Sequence, residues 1–189
     1  ILALKAGLFT GQGKEYAGTI ETVSLIPIDH ELKPIAQLSS NQIKLPQRQA
    51  FGHKGSYGHV LIVGGHADMG GAVIMAAEAA FYAGAGKVSI VCDTKHHASI
   101  LARSPNTMVR DINGFARDDI KALIAQVDTV SFGMGLGRDE WAEGIYQDWI
   151  GALVDSKIKL VLDADALWFL ALHPQKMHEQ CFLTPHPGE

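Results

Sequence analysis

The stretch that decides the fold is residues 59–72, HVLIVGGHADMGGA, in which a short apolar run leads into a glycine-rich turn. His59–Gly64 is apolar almost throughout, which is typical of a strand buried on both faces of a sheet. Gly65–Gly71 forms the turn. Ala72–Ala83 then carries apolar residues around most of a helical circumference, so we predict a packed helix there.

The same alternation of apolar strand and helix continues along the chain. We predict further strands at Lys87–Cys92, Asp128–Phe132, Lys159–Leu162 and Gln180–Leu183, with helices at His96–Arg103, Asp118–Ala125, Arg138–Val154 and Ala164–Ala171. Strands that alternate with helices in this way indicate an α/β fold: a mostly parallel sheet with helices on both faces.

Composition excludes several classes of protein. Hydrophobic residues make up 47% of the 189 residues and charged residues 19%, which excludes disorder, collagen and coiled coil. The net charge of −4 argues against a general nucleic-acid binder. No apolar run approaches the roughly 18 residues of a membrane span, so we expect a cytoplasmic protein without a membrane partner. Cys92 and Cys181 lie in apolar runs and are expected to be free thiols of a reducing compartment.

The chain divides into three parts by composition. Residues 1–28 hold two short apolar segments around glycine-rich turns, and we expect the last strand and tail of another domain there. Residues 29–50 contain two prolines and few large apolar residues, which is typical of a linker. Residues 51–189 form the α/β domain. Since the chain starts at Ile1 and stops at Glu189, directly after a turn signal, we expect it to be a piece of a longer protein.

Unusual residues cluster at the ends of the predicted strands. In an open α/β sheet, ligands bind just beyond the carboxyl ends of the strands. Four such ends carry glycine, aspartate or histidine: Gly64–Ala72, Gly133–Asp139, Asp163–Asp165 and Thr184–Glu189. The sequence therefore predicts a ligand site along this edge of the sheet.

Each cluster also has a purely structural interpretation. Gly64–Gly71 lacks the Lys-Ser/Thr ending of a phosphate loop, so it is either a tight turn or an anion site at a helix start. Gly133–Gly137 lacks the glycine spacing of a dinucleotide fingerprint. Asp163 and Asp165 either cap the following helix or line the site.

Two single residues are further candidates for the site. His186 stands between two prolines, and this rigid turn favours presentation of its ring to a ligand, whereas Lys54 is either a solvated lysine or a ligand contact. No spacing typical of a zinc site and no Ser-centred nucleophile elbow is present, so no direct metal site is predicted.

Together these segments resemble one family, the NAD(P)H-hydrate dehydratases. The motifs that carry the resemblance occur in the family's order: His53-Lys54-Gly55-x-x-Gly58, Gly64–Ala72, Ala83–Gly86, Gly133-x-Gly135-Leu136-Gly137, Asp163–Leu167 and Thr184–Glu189. Residues 3–18 look like the end of an NAD(P)H-hydrate epimerase domain, which is Rossmann-like and often precedes the dehydratase in one bifunctional chain.

The resemblance implies a ribokinase-like fold, incomplete at its C-terminal end, and a role in nicotinamide nucleotide repair. The partners it implies are the small molecules hydrated NADH or NADPH and an adenine nucleotide. ADP (or ATP, in eukaryotic members) with Mg²⁺ drives dehydration of the hydrate to NAD(P)H, with AMP and phosphate as products from ADP. The epimerase domain of a full-length protein would take K⁺. A homo-oligomer is also expected.

Carried over to this sequence, the substrate contacts are Ala72, Gly135, Gly137, His186, Pro187, Gly188 and Glu189. Asp163, Asp165 and Lys54 would line the cleft or contact Mg²⁺ through water, and the catalytic Asp of the family would follow Glu189, which predicts an inactive fragment. Met134 stands where the family usually has proline. Two alternatives remain: a ribokinase-like kinase of a vitamin precursor or sugar, and a non-catalytic nucleotide-binding module.

Overall fold

The computed structural model describes residues 4–23, 25, 27, 33, 36 and 47–186. Packing divides the chain into two compact units, Ile1–Arg48 and Gln49–Glu189. Most of the predicted linker, residues 29–50, lies outside the described residues. Among the described helices, none is both long and apolar enough to cross a membrane.

The first unit contains local turns where we predicted a terminal strand. A 3-10 turn at Ala6–Leu8 is followed by the short helix α1, Gly13–Ala17, and residues 4–23 contain no strand. The backbone there bonds to itself: the Leu8 amide donates to the Lys5 carbonyl over 3.1 Å, and the Phe9 amide to the Ala6 carbonyl over 2.9 Å. The prediction of a strand was wrong for these residues, because the glycine-rich turns close within a few residues.

The second unit is built on a six-stranded sheet in which every pair of neighbours is parallel. Its strands are β1 His59–Val63, β2 Lys87–Cys92, β3 Met108–Asp111, β4 Thr129–Phe132, β5 Lys159–Leu162 and β6 Cys181–Leu183. Their order across the sheet is β3-β2-β1-β4-β5-β6. This confirms the predicted parallel α/β architecture.

One strand, β3, is absent from the sequence-based prediction. It is a four-residue edge strand, MVRD, in which exposed residues alternate with half-buried ones. Hydrophobic periodicity detects a strand through its burial on a core. An edge strand with two charged residues offers too little of that signal.

Helices cover both faces of the sheet. They are α2 Gly70–Tyr82, α3 His97–Arg103, α4 Arg117–Ile124, α5 Glu140–Ser156 and α6 Asp165–Leu172. One core contains Ile62 and Ile90 with residues of α2 and α3. The other contains Leu61 and Val63 with residues of α4, α5 and α6. Since successive strand residues point to opposite faces, these cores lie on the two sides of the sheet.

Two predicted helix starts move by two residues. Helix α2 starts at Gly70 rather than Ala72, so Ala72 lies inside its first turn. Helix α5 starts at Glu140 rather than Arg138, because Asp139 is its N-cap and its Oδ1 accepts the Ala142 amide over 2.9 Å. Arg138 therefore belongs to the loop that follows β4.

Candidate ligand site at the carboxyl edge of the sheet

The strand order brings four chemically unusual loops to one edge. They follow β1, β4, β5 and β6, which are consecutive neighbours in the sheet. All strands run in the same direction, so all four loops leave the sheet at its carboxyl edge. The edges of β4 and β6 are two strand spacings apart, about 10 Å.

The loops after β1 and β4 are joined by their backbones. The Gly65 amide donates to the Met134 carbonyl over 3.1 Å, and the His66 amide to the Gly135 carbonyl over 2.6 Å. Gly135 has φ +60°, and a Cβ there would lie 2.7 Å from the Met69 carbonyl oxygen and 3.1 Å from the Cβ of Ala72. The structure thus brings Ala72 and Gly135 together, and Gly135 must be glycine because the two loops contact each other there.

A carboxylate from a third connection supports the same turn. Asp165, in the first turn of α6, accepts the Gly137 amide at Oδ2 over 2.9 Å and the Arg138 Nε–H at Oδ1 over 2.7 Å. Its side chain is 12% exposed. The Arg138 guanidinium also lies over the Trp168 ring, 4.5 Å from the ring centroid. Both oxygens of Asp165 are therefore engaged with the protein, which favours a supporting role over the predicted contact with Mg²⁺.

The neighbouring aspartate has a different environment. Asp163 is half-buried, and its Oδ1 accepts the Thr184 hydroxyl over 2.8 Å. Ala164, between the two aspartates, has φ +48° and ψ −117°, a conformation that an alanine adopts only under strain. This backbone turn directs Asp163 towards β6 and Asp165 towards the loop after β4.

A histidine that the sequence analysis did not select lies on the other side of the turn. His66 Nε2 is 3.2 Å from Asp139 Oδ2, and the His66 ring meets the Trp141 ring edge-on at 5.0 Å. His96 Nε2 is 2.8 Å from the His66 carbonyl oxygen. A histidine–carboxylate pair and an indole ring therefore flank the joined loops, beside Gly137.

Lys54 is not part of this group. It begins a 3-10 turn that precedes β1, and Gly86, just before β2, packs against the Lys54 carbonyl. The backbone of Lys54 therefore lies at the amino edge, one length of β1 away from the loops, about 16 Å. The prediction that groups Lys54 with Asp163 and Asp165 is not met by this arrangement.

The last predicted contacts lie at the end of β6. His186 is exposed and is the final residue that the structure describes, and Pro187, Gly188 and Glu189 lie outside the described residues. The position of His186 at the carboxyl edge agrees with the prediction. Its contact with a ligand stays a prediction.

The described residues at this edge of the sheet form no metal-binding cluster. Within the described part of the chain, no group of three or more His, Cys, Asp or Glu residues is placed to hold a metal ion. Cys92 and Cys181 are both free thiols. Burial raises the pKa of the Cys92 thiol to about 12, so it is not a nucleophile at neutral pH.

The residues that sequence reasoning missed are His66, Arg138, Asp139, Trp168 and Thr184. Arg138 and Asp139 belong to the quoted cluster Gly133–Asp139, but the apolar pattern also assigned them to the following helix, and neither was selected by itself. Thr184 and His66 stand inside the quoted clusters, yet only their tertiary partners distinguish them. Their positions directly after strands were the one available signal.

These features define a parallel α/β protein with a candidate ligand site at the carboxyl edge of the sheet. Solved structures support this class. A ribokinase-like superfamily protein from Enterococcus faecalis is similar with a TM-score of 0.68 and 28% identity, over 75% of this chain and 50% of that one. A Bacillus subtilis ADP/ATP-dependent NAD(P)H-hydrate dehydratase, co-crystallised with ATP/Mg²⁺, is similar with a TM-score of 0.58 and 28% identity, over 76% and 50%. The fold is therefore ribokinase-like, as expected.

The family itself is shown by sequence. The model of the NAD(P)H-hydrate dehydratase family matches residues 60–189. A bifunctional NAD(P)H-hydrate repair enzyme of Coxiella burnetii is 35% identical over all of this chain and 38% of its own length. An ADP-dependent (S)-NAD(P)H-hydrate dehydratase of Lactiplantibacillus plantarum is 37% identical over 76% of this chain and 51% of its own length. The chain belongs to the NAD(P)H-hydrate dehydratase family, and it spans between a third and about half of the length of these relatives.

Proposed function

We propose that this chain is part of an enzyme that removes water from hydrated NADH or NADPH with ADP, releasing AMP and phosphate. The observation that carries the proposal is the joined pair of loops after β1 and β4, which places Ala72 beside Gly135 at the carboxyl edge. The same residues hold the motifs of the family. The relatives named ADP-dependent (S)-NAD(P)H-hydrate dehydratase support the choice of substrate and nucleotide.

In this proposal the described residues bind and orient the hydrated dinucleotide. Gly135 and Gly137 lie in the turn after β4 at this edge of the sheet, and His186 lies at the end of β6, two strands away. The chemistry transfers a phosphoryl group to the hydroxyl at C6 of the nicotinamide ring, and loss of phosphate then restores the ring double bond. Phosphoryl transfer depends mainly on positioned donors and cations. We place the catalytic acid or base in the half of the dehydratase relatives that this chain does not span.

The adenine nucleotide is proposed to enter with Mg²⁺. The Bacillus subtilis relative was crystallised with ATP/Mg²⁺. Magnesium commonly binds through one or two carboxylates together with substrate phosphates and water. Asp163 fits that role better than Asp165, because the only hydrogen bond of its side chain within the described part of the chain is to Thr184.

Residues 1–28 are proposed to be the tail of an epimerase domain that takes K⁺. The bifunctional relative from Coxiella burnetii aligns with 100% of this chain, whereas the dehydratase from Lactiplantibacillus plantarum aligns with 76%. That difference supports a bifunctional protein. Deleting residues 1–28 should leave the melting temperature and fold of residues 49–189 unchanged, and a loss of that fold would contradict the assignment.

The test of the proposed function uses a protein extended through the half that this chain does not span. Hydrated NADH and hydrated NADPH are incubated with ADP, ATP or no nucleotide, and recovery of the reduced nicotinamide absorbance is followed. We expect recovery that depends on nucleotide, with AMP and phosphate formed in equal amounts from ADP. Residues 1–189 alone should give none.

Two other outcomes would identify the alternatives. Phosphorylation of a vitamin precursor or sugar, without action on the hydrates, would identify a kinase of the same fold. Binding of hydrate and ADP without turnover by the extended protein would identify a nucleotide-binding module. The complete enzyme is further proposed to be a cytoplasmic homo-oligomer, which light scattering and cell fractionation test.

A further inference from the structure

We propose that Arg138 is a phosphate-binding residue of the carboxyl-edge site, held ready for the ligand by Asp165 and Trp168. The inference rests on the proposed function for the identity of the ligand, a nucleotide or dinucleotide. It adds to that function the residue that would recognise the phosphate groups.

Arg138 has hydrogen-bonding capacity that the protein does not use. Its Nε–H donates to Asp165 Oδ1 over 2.7 Å. A guanidinium carries five N–H donors, and the four on the two Nη atoms make no hydrogen bond to the residues that the structure describes. The side chain is 46% exposed, so this outer edge of the fork is accessible.

The side chain is also pre-ordered. The bond from Nε to Asp165 and the contact with the Trp168 ring, at 4.5 Å, restrain both the position and the plane of the guanidinium. Ordering a free arginine side chain on binding has an entropic cost. Here that ordering is already present before any ligand binds.

The charge of the surrounding loops makes Arg138 the residue to meet an anionic ligand. Of the lysines and arginines, only Arg138 lies in residues 64–69, 133–139, 163–164 and 184–186, the described parts of the four loops outside the helices. The same ranges contain the carboxylates of Asp68, Asp139 and Asp163. A dinucleotide or ADP brings several negative charges to this edge, and an arginine fork matches phosphate oxygens with two parallel hydrogen bonds.

Asp165 binds the guanidinium through Nε and does not use the two Nη atoms. Its other oxygen accepts the Gly137 amide over 2.9 Å, so one carboxylate connects the guanidinium to the turn that carries Gly135. A phosphate on the Nη atoms would lie next to the predicted backbone contacts.

The experiment measures binding rather than turnover. The extended protein and its variants are titrated calorimetrically with NADPH, with NADH, and with ADP in the presence of Mg²⁺. Arg138→Gln should weaken the binding of at least one ligand by about 10- to 100-fold. Arg138→Lys should give an intermediate affinity, since lysine keeps the charge but lacks the planar fork of donors. Binding of that ligand to Arg138→Gln should also depend less on salt than binding to the parent.

Arg103→Gln is the matched control, because Arg103 also donates to a carboxylate, that of Glu78, but lies at the end of α3 away from the four loops. It should change no affinity by more than twofold. Weaker binding of both NADH and NADPH would show that Arg138 contacts the pyrophosphate of the dinucleotide. Weaker binding of NADPH alone would indicate a contact with its 2′-phosphate. Weaker binding of ADP alone would indicate a contact with the phosphates of ADP.

Unchanged binding of all three ligands to a folded Arg138→Gln, with normal binding by the parent protein, would overturn this inference alone. A parent protein that binds none of them would overturn the inference and count against the proposed function as well. A parent that turns over the hydrates with an unaffected Arg138→Gln would leave the proposed function intact and exclude the phosphate role.

Discussion

Asp165 Oδ1 and Arg138 Nε, from two different strand-to-helix connections, lie 2.7 Å apart. The second oxygen of the same carboxylate accepts the Gly137 amide over 2.9 Å. One side chain at the start of α6 thus fixes the loop that follows β4. This relationship determines the shape of the carboxyl edge and is the basis of the first prediction.

Asp165→Asn should lower the free energy of unfolding by about 1.5–3 kcal/mol, the range for a hydrogen bond to a charged group. The amide keeps the size of the carboxylate, but it cannot accept from both the Gly137 amide and the Arg138 guanidinium. Denaturant unfolding measures the loss. Asp163→Asn, two residues earlier in the same turn, is the control, and it should lower the free energy of unfolding by less than half as much. Equal losses in the two variants would contradict the supporting role of Asp165.

Gly137→Ala should destabilise the protein, whereas Gly144→Ala in α5 should stabilise it. Gly137 has φ +86°, where a side chain is strained by about 1–2 kcal/mol. Gly144 is in a helix, and no described atom outside that helix's own backbone lies within 4 Å of the position that a Cβ would take. Alanine there gains about 0.5–1 kcal/mol of helix propensity.

Thermal melts of the two glycine variants test this contrast directly. Because φ at Gly137 is unfavourable for any side chain, Gly137→Val is expected to combine strain with loss of ligand binding and cannot separate them. If Gly137→Ala melted at or above the parent temperature, the strained turn would not be required.

His186→Ala should weaken binding of the hydrated dinucleotide by about 1–3 kcal/mol, or roughly 5- to 150-fold, through loss of one or two hydrogen bonds. His186 is exposed and belongs to neither core, so the melting temperature should stay within about a degree of the parent. Titration with substrate beside melting curves makes the measurement. Unchanged affinity with a preserved fold would remove His186 from the site.

His59 should make stability fall as the pH falls below about 6.5. The residue is 8% exposed, its Nε2 is 2.8 Å from Ser89 Oγ, and burial together with the nearby Lys87 charge lowers its pKa below the ordinary value of 6.5. The unfolded chain then takes up a proton at a higher pH than the folded one. The stability contribution is complete above pH 6.5 and is lost as the pH falls from there towards the folded pKa.

Urea unfolding of the parent and of His59→Gln between pH 5 and pH 8 isolates this effect from that of the other histidines. The difference in unfolding free energy between the two proteins should narrow at low pH, because the variant has no imidazole to protonate. A constant difference across the range would show that His59 does not titrate with folding.

The elements of the fold were predictable where burial imposes a regular pattern. The strands β1, β2, β4 and β5 are short apolar runs. The helix starts were predicted to within two residues, and the two largest shifts occur at the glycines before α2 and at the N-cap of α5. The edge strand β3 was not predictable, since its residues alternate between exposed and half-buried and carry two charges. Residues 4–23 form local turns rather than the predicted strand, because hydrogen bonds within these short turns compete with an extended backbone.

The sequence by itself determined the parallel α/β class, the residues that follow each strand, and the family, because these depend on local periodicity and on the order of motifs. Only the tertiary structure decided which of those residues meet. Strand order made β1, β4, β5 and β6 neighbours, and the strained Ala164 sent Asp163 and Asp165 in different directions. Lys54, 11 residues before Gly65 in sequence, lies at the opposite edge because β1 runs the full depth of the sheet between them. Such pairings arise from chain segments brought together by packing, and no local pattern encodes them.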